Sequence, residues 1–306
     1  MEVDELYRAA EIEGAISDPK TAHLILDKDE VVDMNDLPGL SVEPREVEEG
    51  VDVAITVSEG SIIEKPVHLC FGMTEAEGTQ KIKLEINIEK GAEIGVLAHC
   101  VFPRAVDVKH VMDADIHVGE GAEYTYLEKH IHSPEGGTTV LPRAEVELEE
   151  NASFKTDFEL VQGRVGVLDV DYETTCGKNS TMEMTAKVDG TGEDEIRISE
   201  KGNLVGEGAR GVLTTRVAAR DNTNAEVYNK LSATAPYARG HVDCKEIVQG
   251  NGNANAVPVV EVKHPKAHVT HEAAIGSVDR KQLETLMARG LSEEEGVDLI
   301  IEGLLS

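Results

Sequence analysis

A turn signature returns about every 29 residues through the middle of this chain. Gly91-Ala92-Glu93, Gly121-Ala122-Glu123, Asn151-Ala152-Ser153, Asn179-Ser180-Thr181 and Gly208-Ala209-Arg210 succeed one another at steps of 30, 30, 28 and 29. Asn224-Ala225-Glu226 and Asn253-Ala254-Asn255 continue the pattern, 29 apart but offset from the first series. Each begins with a residue that tolerates positive φ and goes on with small, mostly polar positions. Between them run segments of period two, such as Val51-Asp-Val-Ala-Ile-Thr-Val57, Ile82-Lys-Leu-Glu-Ile-Asn-Ile88 and Ala144-Glu-Val-Glu-Leu-Glu149. Alternation of apolar and charged side chains places the apolar ones on one side of a strand. A strand-rich unit of this length cannot bury its apolar side alone and does so by stacking on its neighbours, which predicts a mainly β solenoid, or β-helix. A sandwich or barrel would turn every 8–12 residues or so.

The amino-acid balance agrees. Aromatic residues make up 3% and tryptophan is absent, so the inside of each coil falls to Val, Ile, Leu and Ala. Lys and Arg number 29 against 59 Asp and Glu, a net charge of −30. Such a surface repels phosphate backbones and anionic head groups, which argues against nucleic acid or membrane as a partner. No run approaches the roughly 18 apolar residues needed to span a bilayer. The first residues, Met1-Glu-Val-Asp-Glu-Leu-Tyr-Arg8, lack the basic start and apolar run of a secretory signal, so a cytoplasmic location is expected. The four cysteines, Cys70, Cys100, Cys176 and Cys244, match no zinc-finger spacing, and disulfides are not expected in that compartment.

The two ends depart from the repeat. Residues 4–16 read as a short helix with Leu6, Ala9, Ala10 and Ile16 towards one face, and 18–50 mix turn signals with short apolar runs, so 1–50 is read as an N-terminal cap of helix and loops. Residues 51–276 are the solenoid. Residues 277–306 read as a helical hairpin: Leu283, Leu286 and Met287 share a face of the first helix, Gly290 ends it, and Ser292-Glu-Glu-Glu295 is a capping box. The second helix carries Val297, Ile300, Ile301 and Leu304. Such a hairpin either covers the open end of the solenoid or docks a partner.

Three clusters carry candidate chemistry. His130-Ile-His132 puts two imidazoles on one side of a strand, as in cupin-type metal sites, although Glu135 falls one residue too early for that pattern. In His241-Val-Asp243-Cys244 the first and third residues share a side and the thiol points to the other, where a thiolate could ligate iron or accept sulfur. His264, His268, His271 and Glu272 lie within nine residues, and imidazole and carboxylate both suit ferrous iron. For each, a structural side chain is the competing reading.

The residues around the last two clusters do more than their types. Ala238-Arg-Gly-His-Val-Asp-Cys244, Pro258-Val-Val-Glu-Val-Lys263, Ala267-His-Val-Thr-His-Glu-Ala-Ala-Ile-Gly276, and Gln282-Leu followed by Met287-Ala-Arg-Gly-Leu-Ser-Glu-Glu-Glu295 closely resemble, in order, the C-terminal signature of the SufB/SufD family, scaffolds of the SUF iron–sulfur assembly system. The resemblance implies a right-handed parallel β-helix that pairs with a second subunit, as a homodimer or a SufB–SufD heterodimer. It implies a nascent iron–sulfur cluster, 2Fe–2S or 4Fe–4S, as cargo at the interface. Cys244 matches the family's scaffold cysteine, Glu272 its acidic ligand candidate and His271 the SufD-type interface histidine. The hairpin would dock SufC, an ABC-type ATPase, through Leu283, Leu286, Met287 and Ile300, and ATP hydrolysis would reside in SufC. A sulfur donor and apo-protein recipients are the further partners implied. The chain is SufB-like in keeping the cysteine and shorter than bacterial SufB at its N-terminus. Two other readings stand beside this one: a SufD-like structural subunit without cluster ligands, and a polysaccharide-acting β-helix enzyme, against which the scarce aromatics weigh.

Overall fold

The computed structural model describes residues 3–306. The alternating segments form two facing sheets. One is built from β4 (Gly50–Val57), β6 (Glu77–Ile88), β8 (Asp107–Val118), β10 (Thr138–Leu148), β12 (Gly166–Cys176), β14 (Glu195–Leu204), β16 (Asn224–Ala233) and β18 (Asn253–Val262). The other is built from β5 (Val67–Gly72), β7 (Glu93–Phe102), β9 (Glu123–His132), β11 (Ser153–Gln162), β13 (Thr181–Gly190), β15 (Arg210–Ala219), β17 (Arg239–Val248) and β19 (His268–Gly276). All of these neighbours pair in parallel. The chain crosses between sheets after every strand, so each coil holds two strands and residues one repeat apart stack. Thr215, Cys244 and Ala273 lie in such a column.

The inward residues of both sheets fill one continuous core of Val, Ile, Leu and Ala, with Phe154, Phe158, Tyr124 and Tyr172 among them. Outside, charges answer across coils: Lys90 with Glu120 at 2.8 Å, Lys178 with Glu150 at 2.6 Å, Lys201 with Asp171 at 2.8 Å. These exposed pairs contribute little each.

The repeat marks a corner. Gly91, Gly121, Asn151, Asn179 and Gly208 all take φ between 55° and 73°, and the series goes on at Tyr237 with φ 61°. Each of the first five donates its N–H to a carbonyl of the next coil, at 2.8–3.0 Å. The offset series belongs to the opposite corner, where Gly192, Asp221 and Gly250 take positive φ and Asn224 and Asn253 open the strands that follow. Asn253 Nδ2 donates to Asn224 Oδ1 at 2.8 Å, a rung of an asparagine ladder.

The N-terminal region differs from a cap of loops. It holds β1 (His23–Asp27), which joins the solenoid parallel to β5, and β2 (Glu30–Asn35) and β3 (Leu40–Val47), which run antiparallel on β1 and β4. Antiparallel closure blunts that end of both sheets. The expected single helix is two, α1 (Val3–Ala9) and α2 (Glu13–Ile16), broken at Glu11 with φ 57°. The break drives Ile12 into a buried cluster with Leu6, Ala10, Ile25, Cys70, Val101 and Ile131.

The other end is open. Among the described residues no strand pairs with the outer edges of β18 and β19, and nearly all of β19 is exposed. The hairpin does not cover this end. Its helices, α3 (Arg280–Met287) and α4 (Glu293–Leu305), pack Leu283, Val297, Ile301 and Leu305 onto Ala218, with Ile247 partly buried beside them, on the flank of β15 and β17. The capping box is present: Ser292 Oγ accepts from Glu295 N–H and Glu295 Oε2 from Ser292 N–H. Among the described residues no helix is long and apolar enough to cross a membrane.

Candidate functional site

The uncovered end brings β17 and β19 together. Cys244 points into the solenoid and is fully buried, while His241 and Asp243 face outward. Asn229 Nδ2 lies 3.6 Å from Cys244 Sγ and 2.6 Å from Thr215 Oγ1, which in turn donates to Glu200 at 3.4 Å. Glu246 points inward two residues further along, and neither of its carboxyl oxygens has a hydrogen-bond partner. Burial, aided by the carboxyls of Glu246 and Glu200, pushes the Cys244 thiol up to about 12. Burial likewise raises Glu200 to about 8 and Glu246 to about 7. Both acids are therefore mostly or partly neutral near pH 7, and the Cys244 sulfur is a thiol in the closed chain.

His271 and Glu272 part company in β19. His271 stands opposite Val242 and Glu272 opposite Asp243, so His271 takes the inward side that Cys244 shares and Glu272 the outward side. Glu272 lies 3.9 Å from Lys245 Nζ, and His271 and Glu272 are both exposed. The three residues singled out together are thus distributed over two faces and two coils. The outward column is polar: His241 Nδ1 is 2.8 Å from Thr270 Oγ1, and Asp243 pairs with Arg216 and, at 3.5 Å, with Lys245. His264 and His268 lie apart from Cys244, His264 in the turn before β19 accepting from Lys266 N–H and His268 at the start of the strand. On the hairpin, Leu283 is buried in the contact with the solenoid, Leu286 and Ile300 are half-buried, and Met287 is exposed. Leu286, Leu299, Ile300 and Leu304 line an open groove between the hairpin and the β19 residues Ala274 and Ile275.

A second polar cluster lies deep in the early coils. His130 and His132 are both buried and 3.2 Å apart, and the acid beside them is Glu128, not Glu135. Glu128 Oε1 lies 2.8 Å from His130 Nε2 and 3.8 Å from Cys100 Sγ. His110 Nε2 is 3.6 Å from the same sulfur. Burial drives His110 down to about 3 and, with the Glu128 charge, the Cys100 thiol well above its ordinary value. Cys100, His110 and Glu128 were not singled out from sequence. The signal was there in the register: Cys100 precedes His130 by one 30-residue coil, and Glu128, His130 and His132 occupy consecutive inward positions of one strand.

The model of the SufBD core domain, described as SUF system FeS cluster assembly, matches residues 105–255 and 251–304. An iron–sulfur cluster assembly SufBD family protein of Methanocaldococcus jannaschii is 37% identical over 286 residues, 94% of this chain and 90% of that one. The chain belongs to the SufBD family. A second SufBD family protein, of Pyrococcus horikoshii, is 35% identical over 98% of this chain and 92% of its own length. The iron–sulfur cluster assembly protein SufB of Bacillus subtilis is 25% identical over 169 residues, 44% of this chain and 36% of that protein. The matched SufBD core holds Cys244, His271, Glu272 and nearly all of the hairpin.

Proposed function

We propose that this SufBD protein is a SufB-like scaffold on which a nascent iron–sulfur cluster is built between two copies of the chain, in the cytoplasm. The observation that carries this is the asymmetry of the solenoid: one end is closed by antiparallel strands, while the other leaves two strand edges free among the described residues. Free edges and exposed inward side chains are what a second solenoid would cover. Cys244 sits one coil beneath that end, with His271 and Glu272 in its outermost strand. Because the three do not converge within one chain, ligands from both copies complete the site. Thiolate, imidazole and carboxylate together suit iron bound as cargo.

The buried thiol of Cys244 favours a second reading, a SufD-like structural subunit. In the scaffold reading the same burial means that the end must open before sulfur or iron reaches Cys244. A SufC-type ATPase docked on the hairpin, at Met287 and along the groove of Leu286, Ile300 and Leu304, supplies that opening through ATP-driven closure. A sulfur donor and recipient apo-proteins complete the cycle.

The test is anaerobic reconstitution with iron, sulfide and the ATPase partner, read by visible absorbance of the cluster. Cys244→Ala should assemble little or none. If it assembles as much as the wild type, Cys244 has no such role and the structural reading takes its place.

A further inference from the structure

We propose a second metal site, separate from the open end: a divalent transition-metal ion of borderline softness, of the zinc or ferrous class, held inside the solenoid by Cys100, Glu128 and His130.

The hydrogen bonds fix which atoms face the centre. Gln80 Nε2 donates to the carbonyls of Lys28 and Gly72, at 2.8 and 3.0 Å, so its Oε1 is the atom that meets His110 Nδ1 at 2.9 Å. An amide oxygen only accepts, so His110 carries its proton on Nδ1 and turns the lone pair of Nε2 towards Cys100 Sγ. On the other side the Arg164 carbonyl accepts from His132 Nδ1 at 3.2 Å. His132 Nε2 therefore accepts from His130 Nδ1, and His130 Nε2 is left facing Glu128 Oε1. Tyr172 donates its hydroxyl to the other oxygen, Glu128 Oε2, at 2.9 Å. Three atoms thus converge, the Cys100 sulfur, the His130 Nε2 and a Glu128 oxygen, with His110 Nε2 against the sulfur at 3.6 Å.

The spacing fits three protein ligands of a four-coordinate ion, whose fourth position is left to a water molecule. Metal–ligand bonds of ~2.0–2.3 Å place the donors of a tetrahedral site roughly 3.3–3.8 Å apart. Cys100 Sγ is 3.8 Å from Glu128 Oε1. The sulfur, the carboxylate oxygen and the His130 nitrogen all lie within 4.8 Å of one another. The His130–Glu128 contact, at 2.8 Å, is a hydrogen bond that lengthens when an ion replaces its proton.

Charge and support agree with the geometry. Without metal the cluster holds two protons, one on the Cys100 thiol and one shared by Glu128 and His130. A divalent ion displaces both, leaving thiolate, carboxylate and a neutral imidazole around it. The net charge of the buried site is unchanged, so the interior can hold either form. Two of the three ligands are also gripped on the far side, His130 by His132 and Glu128 by Tyr172, the second ring of contacts that orients metal ligands. Thiolate with imidazole and carboxylate selects zinc or ferrous iron over magnesium or calcium.

The test is anaerobic titration of the metal-free full chain with cobalt(II), read by thiolate-to-cobalt charge-transfer and ligand-field bands. One equivalent should give the intense bands of a four-coordinate site. Cys100→Ser should abolish the charge-transfer band, Cys244→Ser should retain it, and Tyr172→Phe should weaken binding about 10-fold. No band, or a band lost in Cys244→Ser and kept in Cys100→Ser, overturns the proposal. X-ray absorption of the wild type loaded with one equivalent of zinc reads the ligand shell without any variant. One sulfur with three nitrogen or oxygen neighbours supports the site, and any other shell overturns it.

Discussion

Glu200 shows what a single inward carboxyl does in this fold. It is 1% exposed, its hydrogen bond comes from Thr215 Oγ1, and burial raises it to about 8. In the unfolded chain a glutamate ionises near pH 4.3, as an ordinary carboxyl does. Between that pH and about 8 the folded state keeps a proton that the unfolded state releases, so stability falls as pH rises through the window. The contribution is fully present below the unfolded value and is lost towards the folded one, at about 1.4 kcal/mol per pH unit at most. Glu200→Gln keeps the shape without the proton. Urea titrations from pH 5 to 8 should show a shallower pH dependence for the variant and greater stability than wild type at pH 8. Equal slopes for both proteins would show that Glu200 is ionised in the fold. Burial likewise sets Cys244 apart from an activated nucleophile. A thiol held near 12 reacts slowly until its surroundings change, which ties its chemistry to opening of the end strands.

At the scale of elements, the hairpin divides its apolar residues between a buried set and an exposed one. Leu283, Val297, Ile301 and Leu305 hold it to Ala218 on the flank of the solenoid. Met287 and Leu299 are 42% and 46% exposed. Leu283→Ala should therefore cost about 2–3 kcal/mol and lower Tm, as large-to-small changes in a packed contact do. Met287→Glu with Leu299→Glu should change stability by less than about 0.5 kcal/mol, as surface substitutions do, yet abolish co-purification with the ATPase. Retained co-purification by the folded double variant would remove the hairpin as the docking element. The sequence pattern placed both helices and the capping box correctly, because caps and apolar spacing are local. Which leucine faces the solenoid and which faces solvent depends on the flank of β15 and β17, from strands far earlier in the chain, and no local period carries that.

For the whole molecule, the solenoid was legible because stacking converts fold into period: corners recur at the repeat length and inward residues alternate. The offset asparagines made sense only once each coil had two corners. The N-terminal strands escaped notice because β2 has no alternation to read, every residue but its last being exposed. The Cys100 cluster escaped because its members come from three strands and meet only through register. Cys244, His271 and Glu272 drew attention through their ordered resemblance to the SufB/SufD signature, and the turning of Glu272 to the side away from Cys244 and His271 became visible only in the register of β17 against β19. That separation is the basis of the claim that the working site needs two chains.

The claim has a direct measurement. Cys244→Ala and Glu272→Ala chains are each reconstituted anaerobically, alone and after mixing under conditions that exchange subunits, and the cluster is quantified. If each site takes its cysteine from one copy and its glutamate from the other, each variant alone assembles little cluster. The mixed dimer then regains one intact site, about half the wild-type yield per dimer. No recovery from exchanged subunits would contradict a site shared between two copies of the chain.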